Sequence, residues 1–382
     1  MTTITSVKAA TAVVPLATPT AFATREVVSR EYTLVRVQGD DGVEGIGFCY
    51  AGSQSGHLVT RAVLDLLGPV VLGEQAHRTE GLWREMYQES LLHGRTGSVM
   101  RALSAIDIAL WDRNARAAGL PLWKYLGYWS QGSVPAYASG GYYLPGKGPE
   151  GLATELKGYV DQGFTAVKMK VGRLGPAEEE ARVAAAREAV GPDILLMLDA
   201  NNAWSDLPTA LQTIRRFEPY DPYWIEEPFS PDDIDNHVRL RTATPITVAT
   251  GEIEAGRWRH QGLMSRGAAT ILQTDAAVCG GITEFRRIAA MADGHGLTLC
   301  PQWFHDLHTP LVASTPNAQF VEYFPNGEVL NFRRLIDRQL VVEDGALLPH
   351  NEPGLGFHFD PDILDELGTK WDTQRAADDR FG

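Results

Sequence analysis

FTAVKMK, residues 164–170, is the stretch on which the fold turns, together with the runs that echo it: ILLMLD at 194–199, YWIE at 223–226 and ITVATGE at 246–252. Side chains alternate along a strand, so Ala166, Lys168 and Lys170 share one face while Val167 and Met169 share the other. Each later run delivers a carboxylate where it stops. Asp199, Glu226 and Glu252 follow Lys170 at intervals of 29, 27 and 26 residues, the length of one strand plus one helix. Most Asp and Glu residues are solvated loop acids. Three successive strand ends bearing one, after a Lys-x-Lys strand, form a different pattern.

Outward from this core, apolar runs recur near 134, 164, 194, 223, 246, 270, 297 and 319. Helical stretches separate most of them: 151–162, 177–190, 207–216, 282–294 and 305–314. Eight such units predict an α/β fold, a TIM-like (β/α)8 barrel, whose chemistry sits at the C-terminal ends of the strands. The last three units are the least regular. Residues 1–125 read as an α+β capping domain, with a hairpin (27–38 and 43–49 about Gly39-Asp40-Asp41-Gly42) and helices near 57–72, 77–92 and 97–118. The barrel, the catalytic domain, is expected over 126–335. A C-terminal segment, 336–382, returns to complete the cap and ends in a polar, loosely held tail, Lys370–Gly382. The polar loops Thr18–Arg25 and Tyr50–Gly56 suit a lid over the cleft.

Composition narrows the partners. The chain has 382 residues, 34 basic against 48 acidic, for a formal charge of −14, and no long basic cluster. Nucleic acid and anionic membrane surfaces are therefore not expected partners. No run approaches membrane-spanning length. Cys49, Cys279 and Cys300 are odd in number and scattered, which argues against a disulfide framework or a zinc site. An Ala21-Phe22-Ala23 triplet imitates a signal-peptidase site, but the apolar region before it is short and broken by Thr11 and Pro15. The cytoplasm is the expected compartment.

The donor set Asp199, Glu226 and Glu252 offers hard oxygens with no sulfur or imidazole, which selects Mg2+. A cation so held keeps positions open for a substrate carboxylate and its α-hydroxyl, and it acidifies the neighbouring C–H by stabilising an enediolate. Lys168 would add positive charge beside the same oxygens. Lys170 would act as base, provided desolvation and nearby cations lower its pKa.

In these motifs the chain resembles the enolase superfamily, in its mandelate racemase and sugar-acid dehydratase branch. The resemblance covers nearly the whole chain, through GSVMRALSAIDIALWD at 97–112, VKMK at 167–170, LDAN at 198–201, WIEEP at 224–228 and TGE at 250–252. It implies Asp199, Glu226 and Glu252 as metal ligands, Lys170 as base on one face of the substrate, and Lys168 beside its carboxylate. It further implies that Glu227 supports a ligand, that Asn201 and Glu322 contact substrate, and that Asp275 orients a catalytic His from the next strand. A homo-oligomer is implied as well.

The departure lies at that partner. Where the branch has a His, this chain reads Cys300-Pro301-Gln302-Trp303-Phe304-His305. An amide is neither acid nor base. Racemisation by two opposed bases is thus disfavoured. His305, three residues on, is a candidate replacement, against its alternative as a packed helical residue beside His308. Gln302 and Trp303 are expected to line the pocket. The simplest reaction left is removal of the proton α to a carboxylate and expulsion of the β-hydroxyl, the dehydration of an aldonate or aldarate to a 2-keto-3-deoxy acid. Close alternatives are a cycloisomerase opening a lactone or anhydro-sugar acid, then a racemase or epimerase. An alternative of another class is a barrel that binds metal or sugar acid without turnover.

Overall fold

The computed structural model describes residues 2–130, 132–327 and 329–374. Its first element is a strand, β1 (Ile4–Phe22), where hydropathy shows only a broken apolar run. β1 pairs antiparallel with β2 (Arg25–Gly39), and β2 with β3 (Glu44–Tyr50). The register of β1 on β2 slips between Pro15 and Thr20, as suits a residue with no N–H to give the ladder. The expected lid loop at Thr18–Arg25 is thus mostly strand, turning only at Ala23 and Thr24. At the start of the expected loose tail, β14 (Asp372–Gln374) adds to β1 at Val7–Ala9, so these three residues complete the N-terminal sheet. Residues 375–382 of that tail lie outside the described residues.

The helix Gly97–Ala117 lies across this sheet. Its close approach needs the glycines of EGIGFC: a Cβ on Gly45 or Gly47 would collide with the carbonyl of Ala109 or Ala105. The same helix reaches toward the barrel. Asp107 accepts from the Thr283 N–H at 2.9 Å and the Thr283 hydroxyl at 2.6 Å, and Ser104 Oγ accepts from Gly280 N at 2.9 Å. Gly281, at φ +86°, would collide with Asp107 if it carried a side chain. The predicted helix over 57–72 is real but contains a π-turn at Ala62–Leu67.

Eight parallel strands follow: β4 (Val134–Ser139), β5 (Ala166–Lys170), β6 (Leu195–Asp199), β7 (Trp224–Glu226), β8 (Thr247–Thr250), β9 (Ile271–Leu272), β10 (Thr298–Leu299) and β11 (Val321–Tyr323). Consecutive strands pair from β4 to β10, β11 pairs with β4, and a Leu299–Ala318 bridge closes the ring. The chain therefore has the (β/α)8-type barrel with an N-terminal cap. Tyr137, Ala166, Met197, Trp224, Ala249 and Ile271, with Cys300 and Phe320, fill the inside of the barrel as a cluster separate from the main core. Because Ala166 points inward, so do Lys168 and Lys170, one and two positions higher on the same face. The hairpin of β12 (Val341–Glu343) and β13 (Ala346–Leu348) docks antiparallel on the start of β4, away from the strand ends. Among the described residues, no helix is long and apolar enough to cross a membrane. All three cysteines are free and buried.

Candidate active site

The register of the parallel strands builds the site. Lys170 stands opposite Asp199, and Asp199 opposite Glu226, so one base and two acids line up across β5, β6 and β7. Glu252 follows β8, the next strand. Lys168 is 1% exposed, and all its donors are spent. Its Nζ lies 2.7 and 2.9 Å from the two Glu226 oxygens, 2.8 Å from Glu322 Oε1 and 3.5 Å from Asp199 Oδ2. Burial alone would drive that ammonium to lose its proton, but Glu226 and Glu322 outweigh it and hold the pKa well above the ordinary lysine value. Lys168 is a fixed positive charge.

Lys170 differs in being at the surface of the cleft. Its Nζ meets Asp199 Oδ2 at 2.5 Å and lies 5.1 Å from the centre of the Tyr142 ring. With no metal beside it, its pKa moves in the direction opposite to the one a base needs. Burial favours the neutral amine, yet the Asp199 carboxylate prevails and raises Lys170 above the ordinary value. Asp199 in turn is lowered, since Lys170 and Lys168 overcome its own desolvation. Glu226, Glu227 and Glu252 are all pushed well above the carboxylate range, by burial first and by one another and Asp199 next. Five acids, Asp199, Glu226, Glu227, Glu252 and Glu322, share this space with two ammonium groups.

That surplus bears on the metal. Among the described residues, no three His, Cys, Asp or Glu side chains converge as a ready-made cation cage. Lys168 instead takes both oxygens of Glu226, and Lys170 takes one of Asp199. The residues nevertheless fit Mg2+. Asp199, Glu226 and Glu252 offer oxygen donors alone, from three neighbouring strand ends, and buried Glu252 Oε2 and Glu227 Oε1 have no hydrogen-bond partner.

The backbone around the acids is held in unusual conformations. Asn201, Asn202, Glu227 and Trp303 all have positive φ, at 41°, 62°, 40° and 75°, and all four line one cleft. For Glu and Trp such values carry strain of about 1–3 kcal/mol each, tolerated where the surroundings dictate them. Those surroundings are specific. Asn202 N donates to Glu227 O at 2.7 Å, and Glu227 N to Ala249 O at 3.0 Å. Trp303 N donates to Glu322 Oε2 at 2.8 Å, so the carboxylate that pairs with Lys168 also fixes the turn after β10.

The cleft is a cavity of about 250 Å³. From the barrel it is walled by Lys170, Asn201, Glu227, Glu252, Asp275 and Gln302, and Trp303 lies at its side. The cap contributes Phe22, Thr24 and Arg25 from the β1–β2 turn and Tyr50 to Ser53 after β3, so both stretches read as lid segments do reach the site. Lys168, Asp199, Glu226 and Glu322 lie beneath this lining.

His305 is not brought to the cleft. It is 1% exposed, packs its ring 5.0 Å from that of Tyr323, and its Nε2 lies 3.3 Å from Arg333 Nη2. The expected replacement of the missing imidazole is therefore corrected: the turn at Trp303 aims the following helix inward, into protein. Burial, with Arg333 and His308 nearby, keeps His305 neutral by moving its pKa well below the ordinary value. Asp275 does line the cleft, but its Oδ1 accepts from Ala277 N at 2.7 Å and lies 3.3 Å from His308 Nε2. Residues not singled out from sequence also line it: Tyr142, just past β4, and from the cap Arg30 and Arg101. Position at a barrel strand end would have found Tyr142. The cap residues gave no signal, because only the fold brings β2 and β3 over the barrel.

The chain is similar to known proteins. A family model for the mandelate racemase / muconate lactonizing enzyme N-terminal domain matches residues 4–127, and one for an enolase C-terminal domain-like region matches residues 151–363. An L-talarate/galactarate dehydratase of Salmonella typhimurium is 35% identical over 378 residues, covering 96% of this chain and 90% of its own. A 3,6-anhydro-alpha-L-galactonate cycloisomerase of Streptomyces coelicolor is 33% identical over 338 residues, covering 88% of this chain and 91% of its own. The crystal structure of an L-talarate dehydratase from a Polaromonas species, complexed with Mg and L-glucarate, superposes with a TM-score of 0.89 at 31% identity, covering 98% of this chain and 99% of that one.

Proposed function

The chain belongs to the enolase superfamily, in its mandelate racemase and muconate lactonizing enzyme branch, and on that premise we propose that it is a magnesium-dependent sugar-acid dehydratase. The observation that carries the reading is the row Lys170, Asp199, Glu226 and Glu252 at the mouth of the barrel, one base beside three oxygen ligands, with Lys168 fixed behind them. Asp199, Glu226 and Glu252 would hold Mg2+, which when bound would supply positive charge that stabilises an enediolate and offsets the Asp199 charge beside Lys170.

Lys170 removes the proton α to the substrate carboxylate. Lys168, held by Glu226 and Glu322, contributes a permanent charge beside the oxygens on which negative charge develops. The electron pair of the broken C–H bond forms the C2–C3 double bond as the C3–O bond breaks, and the β-hydroxyl leaves as water. Its proton comes from groups lining the cleft: Lys170, charged by the first step, or Tyr50, whose oxygen accepts from Arg30 Nη1 at 3.2 Å and whose own proton is thereby free to be given. The enol then becomes a 2-keto-3-deoxy acid by taking a solvent proton at C3. Asn201 contacts the substrate, and Gln302 and Trp303 shape the pocket; Gln302, an amide, offers no second base.

A second reading, opening of a lactone or anhydro-sugar acid, is favoured by the same Gln302, since a better leaving group needs less acid assistance. Two of the similar proteins differ in this respect, one a dehydratase and one a cycloisomerase. Screening a panel of sugar acids and their lactones with Mg2+ separates the readings. Keto-acid formation from open-chain acids that disappears in Lys170→Ala supports dehydration, whereas turnover confined to lactones or anhydro acids overturns it.

A further inference from the structure

The cleft has two faces of opposite charge. The barrel face carries the acids Glu227, Glu252 and Asp275 against the single cation Lys170, while the cap face carries Arg25, Arg30 and Arg101. In a chain with fourteen more acids than bases, arginines find carboxylates readily. Arg113 pairs with Asp41, Arg182 with Glu179, Arg257 with Glu284 and Arg259 with Glu254. Among the described residues, none of the three cap arginines over the cleft is in an ion pair. Arg30 is committed to the protein: it is 2% exposed, Nε donates to Val329 O at 2.8 Å, Nη1 donates to Tyr50 OH, and the guanidinium lies 4.5 Å from the centre of the Trp303 ring. Arg101 gives one N–H to Tyr50 O at 2.8 Å and keeps the rest of its fork. Arg25, at the β1–β2 turn, is exposed, and among the described residues its side chain has no partner.

We propose that Arg25 and Arg101 form a second carboxylate subsite, and that the substrate is a dicarboxylate, an aldarate, bound with one end at the barrel acids and the other beneath the cap. This rests on the sugar-acid reading above and narrows it. A sugar acid with a single carboxylate, anchored beside Lys168, leaves two cationic forks over its far end facing only hydroxyls. A second carboxylate gives them a charge-assisted, two-pronged partner, the geometry for which guanidinium is suited. Arg30 acts as a positioning residue, holding Tyr50 and through it the backbone to which Arg101 bonds.

Binding tests this without depending on turnover. The full-length protein with Mg2+ is titrated calorimetrically with a panel of hexarates and the hexonates of matching configuration. At least one hexarate is expected to bind about tenfold or more tightly than its hexonate, a charged hydrogen bond being worth that much. The ratio falls toward one in Arg25→Gln and Arg101→Gln and is largely kept in Arg101→Lys. Arg25 has no partner to lose, so Arg25→Gln keeps the test alive even where Arg101→Gln folds poorly. A panel in which no hexarate exceeds its hexonate, or a ratio unmoved in Arg25→Gln and Arg101→Gln, overturns the proposal. Keto acid formed from hexonates and hexarates of equal affinity would leave the dehydratase reading standing while removing this one. A hexarate preference without any keto acid would do the reverse.

Discussion

Removing one acid from the site should stabilise the protein without metal and abolish its response to metal. Glu252→Gln is the substitution of choice, because Glu252 Oε2 has no hydrogen-bond partner and its pKa is raised by burial, Glu227 and Asp199. Neighbouring strands lie about 5 Å apart, and at an effective dielectric near 20 one like charge at that distance costs about 3 kcal/mol. Lys168 and Lys170 offset part of this, so the net gain from the neutral amide is about 1–3 kcal/mol, or ~1–4 °C for a chain of this size. The sign with pH follows from linkage. A carboxyl raised in the folded state binds its proton more tightly there than unfolded, so wild-type stability without metal falls as pH rises above the unfolded value of about 4.5. The advantage of Glu252→Gln accordingly vanishes near pH 4.5 and grows toward neutrality. With Mg2+ at about a hundred times its dissociation constant, the wild type gains about 2.7 kcal/mol, ~3 °C, and the variant gains nothing. Scanning calorimetry in EDTA and in Mg2+ at pH 5 and 7.5 reads all four states. A variant less stable than wild type in EDTA at pH 7.5, or one that keeps the Mg2+ shift, would refute the reasoning.

Two other substitutions follow from the same geometry. Asp107, buried and bonded to Thr283, has its pKa pushed up to about 7, chiefly by burial; wild-type stability therefore falls between about pH 4 and 7, and Asp107→Asn should flatten that slope in urea titrations, by an amount on the order of a few kcal/mol across the window. His305→Gln should keep kcat/KM within about tenfold of wild type, because the imidazole sits behind Tyr323 and outside the cleft; a loss of about a hundredfold or more, in the range general acid–base catalysis supplies, measured on protein shown to be folded, would restore it as an acid or base.

How much of this was legible beforehand depended on range in the chain. The acids at 199, 226 and 252 were readable because strand alternation and βα spacing are local properties, and the barrel makes register out of them. β1 was not, since its alternation rests on alanines and threonines and is interrupted at Pro15; pairing with β2 supplies the stability that its own residues lack. The strand-end position of Lys170 is legible in the same way, whereas its contact with Asp199 is not, because that distance is a cross-strand quantity. The two readings of His305 stay open in the sequence for a similar reason: three residues beyond Gln302 is near in the chain, but Trp303 at φ +75° precedes a helix whose first residue is buried away from the cleft. Arg30 and Arg101 could be found only once the cap lay over the barrel, whereas Arg25 ends a loop whose composition already suits a lid.

The central claim is that Lys170 removes the α-proton, and deuterium from solvent tests it most directly. In D2O with Mg2+ and a substrate acid, the wild type should yield 2-keto-3-deoxy acid with one deuterium at C3, and Lys170→Ala should yield neither product nor α-exchange, at least about a thousandfold below wild type, while keeping the Mg2+-induced rise in Tm. A Lys170→Ala protein that still forms deuterated keto acid within about tenfold of the wild-type rate would contradict the account.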